Sequence, residues 1–289
     1  MSLKNIIIKF DKKIFGSLII NTYIKIKYYF KLKKIISSIS KSKNFDQINH
    51  NLEKELIISL TSYPPRFNTL PMVLDSIQNQ SIKADKIELW IEENDKHLLN
   101  KNIFKFKNIN VRFCENNLYS YKKIIPAYRE NSDRYIVTFD DDIIYPKDSL
   151  ECLIKKSKEF PKDVVANRVH RIKLKNYLPD RYNNWFHNYQ ETDDFIFLTG
   201  SGGVLYSPNC FHKDFLNAEL FNNLCPTNDD IWLNWMIKLN KINIKFSEIK
   251  TNYELIKIIK TGLYKINVKK ENNDIQINAM INKYGFPYK

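Results

Sequence analysis

Tyr135-Ile136-Val137-Thr138-Phe139-Asp140-Asp141-Asp142-Ile143-Ile144-Tyr145-Pro146 decides how the rest of this chain is read. β-Branched and aromatic residues pass straight into three carboxylates, and Pro146 closes the segment. Such an uninterrupted apolar run predicts a strand buried on both faces, the kind found in the middle of a parallel sheet. Parallel sheets bind ligands outside the carboxyl ends of their strands, where the aspartates are delivered. Alternation along an extended segment predicts that Asp140 and Asp142 point the same way. Two hard oxygen donors on one side suit Mg2+ or Mn2+ arriving with a phosphate-bearing substrate. Taken alone, an Asp-any-Asp triplet is more simply a solvated acidic turn, and the neighbouring segments shift that balance.

Upstream, Leu56-Ile57-Ile58-Ser59-Leu60-Thr61-Ser62-Tyr63 predicts a strand ending in hydroxyls ahead of Pro64-Pro65. Phe67, Leu70, Leu74 and Ile77 recur at spacings of three and four, so a helix follows. Asn68 or Thr69 can cap it, and Pro71 is tolerated in its first turn. Lys86 to Ile91 predicts a second strand running into the acidic Glu92-Glu93, and Ile109 to Phe113 a third. Tyr121 to Tyr128, which contains Lys122 and Lys123, predicts a helix ahead of the central strand. Strand and helix alternate as in a doubly wound α/β fold, a mostly parallel sheet flanked by helices.

Downstream, Lys147 to Phe160 predicts a helix and Val164 to Arg171 a strand. Phe195 to Thr199 predicts a strand opening onto Gly200-Ser201-Gly202-Gly203. Half of the chain's six glycines sit in that loop, more than an ordinary tight turn needs. They imply close backbone approach to a ligand, or positive φ. Thr227 or Asn228 can cap a helix whose apolar stripe is Trp232, Trp235, Met236 and Leu239. Asp229 and Asp230 fall in its first turn, a place the helix dipole alone favours for acids.

The 289 residues suffice for one large α/β domain with an appendage. Net charge is +14, and residues 1–43 hold eleven Lys and a single acid, Asp11, so most of the excess lies in that segment. Its longest uncharged stretch, between Lys13 and Lys25, is too short to span a bilayer, and no secretory cleavage pattern accompanies it. Two readings fit: a segment lying on an anionic membrane surface, or helices packed on the main body. Residues 41–54 are polar and read as a linker, which divides the chain into a basic extension, 1–50, and a catalytic domain, 51–289. The scattered cysteines Cys114, Cys152, Cys210 and Cys225 form no zinc pattern and suit reduced thiols in a cytosolic setting. A nucleic-acid partner is not expected, since the charge is confined to one end and no DNA- or RNA-binding motif is present.

In this order, Ser59-Leu60-Thr61-Ser62-Tyr63-Pro64 with Arg66, Tyr121-Lys122-Lys123 to Pro126, Phe139-Asp140-Asp141-Asp142 with Tyr145-Pro146, Gly200-Ser201-Gly202-Gly203, and Asp229-Asp230 with Trp232-Leu233 resemble family 2-like bacterial glycosyltransferases of the GT-A fold. The resemblance spans about residues 55–240 and is nearest to enzymes of capsule and lipopolysaccharide synthesis. It implies a Rossmann-like sheet and a nucleotide-sugar donor, a UDP-sugar as first expectation. Thr61, Ser62, Tyr63 and one of Glu92 or Glu93 would then contact the nucleoside, with Gly202 and Gly203 at the donor as well. The metal motif maps onto Asp140, Asp141 and Asp142, with Asp142 a direct ligand of Mn2+ or Mg2+ and Asp140 nearer the ribose. Arg66, Lys122 or Lys123 would help neutralise the diphosphate. The base that deprotonates the acceptor maps onto Asp230, with Asp229 a close competitor. Many relatives add a late metal-binding histidine, whereas the last histidine here is His212.

The implied reaction is inverting transfer to a hydroxyl of a growing glycan or lipid-linked oligosaccharide, on the cytoplasmic side of a membrane. Trp185, Tyr189 and Trp232 are candidates for stacking on sugar rings, although core packing is the commoner use of such residues. Two alternatives stand beside this one. A sugar-1-phosphate nucleotidylyltransferase would carry a glycine-rich basic loop where Ser62-Tyr63-Pro64-Pro65 stands. A non-catalytic basic protein that binds membrane or nucleic acid would spread its charge over the body.

Overall fold

The structure is a computed structural model. It describes residues 47–251 except 107, 116 and 117, residues 253–256 and 271–288, and, before these, only Ile26, Phe30, Lys34 and Ser37. The chain divides into two compact units, Met1–Phe45 and Asp46–Lys289. The reading of residues 1–43 as a membrane-facing segment therefore lies outside the described residues, apart from those four. Among the described residues, no helix is long and apolar enough to cross a membrane.

The main elements of the second unit are β1 (Leu56–Thr61), α1 (Leu70–Gln78), β2 (Lys86–Glu92), β3 (Ile109–Cys114), α2 (Ile125–Asn131), β4 (Tyr135–Phe139) and α3 (Ser149–Glu159). There follow β5 (Val164–Ala166), β6 (Val169–Arg171), β7 (Phe186–Tyr189), β8 (Ile196–Leu198), β9 (Val204–Tyr206), α4 (Ala218–Leu224), α5 (Asp229–Leu239), β10 (Ile244–Phe246) and α6 (Asn272–Tyr284). Seven strands form the central sheet in the order β10-β5-β9-β4-β1-β2-β3. All neighbours are parallel except β9, which runs antiparallel to both β4 and β5. The mostly parallel α/β sheet expected from the sequence is therefore present, and β4 lies at its middle with every residue buried.

Three local departures from the sequence reading have physical causes. The helix expected over Tyr121–Tyr128 begins only at Ile125, and Tyr119–Lys123 form a tighter 3-10 turn. Pro126 lacks an amide hydrogen and its ring would strike the carbonyl four residues back, so it must stand in the first helical turn. The strand expected over Val164–Arg171 is two strands. β5 belongs to the central sheet, whereas β6 pairs with β7 and β8 in a separate three-stranded antiparallel sheet. Asn167 and Arg168 make the crossing between them, and the buried Asn167 side chain donates to the carbonyls of Ser149 (3.1 Å) and Gly202 (2.9 Å). Finally, part of the stretch read as a linker pairs with the body: Ile48–Asn49 runs parallel to Ile82–Lys83, and the Gln47 amide donates to the carbonyls of Gln78 and Gln80.

The antiparallel run of β9 brings distant segments to one edge of the sheet. Val204 pairs with Thr138 and Tyr206 with Ile136, so β9 starts where β4 ends. The glycine-rich turn that leads into β9 is thereby set beside the aspartates that leave β4. On the other side of that turn, α5 buries Ile231, Trp232, Leu233, Trp235, Met236 and Ile237 in the core.

Candidate active site

β4 ends at Phe139, and Asp140–Asp142 form a turn. The two-residue alternation expected of a strand lapses there, so Asp141 and Asp142 are not opposed: both pair with the Arg66 guanidinium. Asp141 is buried and also accepts from Ser62 Oγ at 2.6 Å. Asp142 Oδ2 lies 2.8 Å from Arg66 Nη2 and keeps 29% of its side chain exposed. Burial and then the charge of Asp140 push its carboxyl up to about 6, against the pull of Arg66. Asp140 turns the other way, accepting from Lys123 Nζ at 2.9 Å, while its own amide donates to Tyr145 Oη at 2.7 Å.

Lys123 joins this turn to the second acidic cluster. Its Nζ lies 3.3 Å from Asp229 Oδ2, and the side chain is 7% exposed. Burial opposes its charge, but Asp140, Asp229 and Asp230 outweigh burial and hold the ammonium firmly protonated. Asn228 caps α5, its side chain accepting from the Asp230 amide at 3.0 Å. Asp230 Oδ1 in turn accepts the Gly200 amide at 2.8 Å. Burial and the adjacent Asp229 raise the Asp230 carboxyl to about 7, despite Lys123 and the Gly200 hydrogen bond. The aspartate turn, the glycine turn and the start of α5 thus meet around one ammonium.

The glycines have separate reasons. A methyl group at Gly203 (φ 103°) would stand 2.5 Å from the Phe139 ring. One at Gly200 would stand 2.7 Å from Lys123 Nζ and 3.1 Å from Asp230 Oδ1. Gly202 (φ 97°) sits between Tyr253 and Arg168.

The positions expected to hold the nucleoside line the carboxyl edges of β1 and β2. Thr61 Oγ1 donates to the Trp90 carbonyl (2.8 Å), and the Tyr63 ring lies under the Arg66 guanidinium, 5.3 Å from its centroid. Glu92 ends β2 half-buried, whereas Glu93 is exposed and paired with Lys96. Lys122 is buried, and among the described residues its ammonium has neither a hydrogen bond nor an ion pair. Two stacking candidates are core residues: Trp232 is fully buried, its Nε1 donating to the Phe215 carbonyl, and Trp185 packs against Tyr182 and Phe197. Tyr189 lies beside Arg171 and donates to Glu191. His212 Nδ1 accepts the Asp214 amide in a 3-10 turn.

Two positioning residues carry no sequence signal. Asn167 holds Gly202 through its carbonyl. Asn234, one helical turn after Asp230, exchanges hydrogen bonds with the Leu198 amide and carbonyl (2.9 Å each) and accepts from Tyr288 Oη. It clamps α5 to β8, and so fixes Asp230 relative to Gly200.

The model of the family described as glycosyl transferase family 2 matches residues 65–221, more than half of the chain. The chain belongs to glycosyl transferase family 2. Among solved structures, this family 2 member is similar to the mannosyltransferase PcManGT from Pyrobaculum calidifontis in complex with GDP-Man and Mn2+. Identity is 14%, coverage is 93% of this chain and 75% of that one, and the TM-score is 0.50. It is also similar to S. aureus TarS 1-349, with 15% identity, coverage of 79% of this chain and a TM-score of 0.48. The chain spans 66% of the length of that TarS fragment. Among curated proteins no sequence matches it. The likeness to PcManGT agrees with the GT-A architecture of the sheet.

Proposed function

We propose that this family 2 glycosyltransferase is a metal-dependent, inverting enzyme that moves a sugar from a nucleotide-sugar donor to a hydroxyl of a growing surface glycan. The observation that carries the proposal is the convergence of Asp140, Asp229 and Asp230 on Lys123, which gives the two acidic clusters one shared site. Asp230 supplies the base. Its raised carboxyl keeps a proton affinity suited to accepting a hydroxyl proton near neutral pH, and the Gly200 amide orients one of its oxygens. Asp229, ion-paired to Lys123, keeps that ammonium against the base.

On the donor side, Asp140 and Asp142 are partly exposed carboxylates close enough that one raises the proton affinity of the other, a donor set that a divalent cation suits. Among the described residues no group of three or more His, Cys, Asp or Glu is arranged to hold a metal. Further ligands would come from donor phosphates and water. Bound there, Mn2+ or Mg2+ would supply neutralisation of the leaving diphosphate. Lys122, buried without a counter-ion among the described residues, lies near Cys114 at the carboxyl end of β3, where a diphosphate could take it as a partner.

The GDP-Man and Mn2+ held by PcManGT support a nucleotide-sugar donor and a metal for this chain. The lysine-rich residues 1–43 support work at the cytoplasmic face of a membrane, on a lipid-linked or polysaccharide acceptor. Incubation with a panel of UDP-, GDP- and dTDP-sugars and Mn2+, read as donor consumption and as thermal protection, tests the reading. At least one donor should bind only with metal present. Failure of every donor to bind would overturn it.

A further inference from the structure

Arg168 stands, partly buried, where the chain crosses from β5 to β6; of the other arginines only Arg129, exposed at the surface of α2, likewise pairs with no carboxylate among the described residues. Arg66, Arg112, Arg134, Arg171 and Arg181 each pair with a carboxylate. Among the described residues Arg168 pairs with none. Its guanidinium is nevertheless held in place, Nε donating to Asn188 Oδ1 at 2.7 Å and Nη1 to Thr199 Oγ1 at 3.3 Å. Its Nη2 has no acceptor among the described residues.

The partner on β7 is itself aimed. The register of β7 against β6 slips between Phe186 and Tyr189, an inserted residue that marks a bulge, and Asn188 there adopts φ 53°. Bulges of this kind re-aim side chains beside functional sites. The Asn188 amide donates to His170 Nδ1 at 3.2 Å. Burial first, and Arg168 next, keep His170 neutral, down at about 3, so it can accept that bond. Burial and the same guanidinium also lower His187. A positive charge that no carboxylate among the described residues pairs with is thus held by neutral groups.

Its location links it to the base. Thr199, which accepts from Arg168, precedes Gly200, which donates to Asp230 Oδ1. Lys123 and Asp230 adjoin Gly200 on the other side, and among the described residues neither they nor the aspartate turn hydrogen-bonds or ion-pairs with Arg168. The guanidinium therefore bonds to the residue that precedes Gly200, at the same glycine turn whose amide holds the base.

We infer that Arg168 recognises an oxyanion on the acceptor, a carboxylate or phosphate group close to the hydroxyl that Asp230 deprotonates. This rests on the glycosyltransferase reading of the site. Arginine's planar donors match both carboxylate and phosphate, and a neutral sugar would leave this charge unanswered.

Inorganic phosphate titrated into the full chain, followed by calorimetry with and without saturating UDP or GDP and Mn2+, tests the anion site. Phosphate should bind in both conditions. R168M should weaken it at least tenfold, R168K less, with nucleotide binding unchanged within about twofold. N188D, which keeps Arg168 but hands it a carboxylate at a position where aspartate tolerates positive φ, should weaken phosphate as much as R168M. Wild-type phosphate affinity in both R168M and N188D overturns the inference. So does expulsion of phosphate by the nucleotide, which would assign the guanidinium to the donor. Transfer to methyl glucoside, methyl glucuronoside and glucose 6-phosphate then separates the sources of charge. One of the charged acceptors should be preferred at least tenfold, and R168M should erase that preference; equal use of the neutral acceptor by the wild type also overturns the inference. Absence of nucleotide binding in every variant would instead strike the transferase reading, leaving the phosphate result for Arg168 intact.

Discussion

Gly200 donates its backbone amide to Asp230 Oδ1 at 2.8 Å. That bond ties the turn before an antiparallel strand to the first turn of α5, and it leaves the second Asp230 oxygen to act. Asp230→Asn should preserve the bond while removing the base. Turnover should fall by ~10²–10⁴, with donor affinity changed little. Steady-state kinetics beside nucleotide binding by calorimetry checks this, and normal turnover in Asp230→Asn with loss in Asp229→Asn would move the base by one residue.

The pH profile follows from the same carboxyl. Burial and Asp229 raise it to about 7. The ionised form is the active one, so kcat should rise with pH and level off above about 7, falling about tenfold for each unit below that. The linkage has the opposite sign for folding. A carboxyl that binds its proton more tightly when folded contributes stability that is present below about 4 and lost as the pH climbs through 7.

Asp141 and Asp142 should separate cleanly. Asp142 is part-exposed at the end of the turn, so Asp142→Ala should abolish metal-dependent nucleotide binding while the protein remains folded. Asp141 is buried between Ser62 and Arg66, and Asp141→Ala leaves an arginine short of a partner. Because Arg66 keeps Asp142 as a partner, the cost should lie below the about 3–5 kcal/mol of a buried charge left wholly unpaired. The shift should be visible in urea unfolding, without the need for any ligand.

Gly203→Ala and Gly200→Ala should fail in different ways. At Gly203 the new methyl meets an aromatic ring at 2.5 Å with φ at 103°, so unfolding midpoints should drop. At Gly200 it meets the flexible tip of Lys123 and the base carboxylate, which can shift. Circular dichroism should show near-native stability there, and turnover should fall at least tenfold.

Asn234→Ala tests the clamp on the base. It removes the bonds to the Leu198 amide and carbonyl, leaving buried groups unpaired at about 1–3 kcal/mol. Turnover should fall together with stability, and hydrogen exchange should rise at Leu198.

Much of this molecule is written locally. Apolar runs at 56–61, 86–91 and 135–139 are strands because a two-face-buried strand needs nothing but its own side chains to be recognised. The cap at Asn228 and the stripe of α5 are likewise properties of adjacent residues. Family membership follows from the order of such segments. The partnerships came from elsewhere. Arg66, expected at the diphosphate, is bound by Asp141 and Asp142, and Lys123 is shared between carboxylates that stand far apart in the chain. Asn167, Asn234 and Arg168 look ordinary in the chain and acquire meaning only beside Gly202, Leu198 and Asn188. Side-chain pattern reports what a segment must bury, and that is enough for strands and helices. Which charge meets which depends on sheet order and on the reversal of β9 against β4, relations between distant segments that no single stretch encodes.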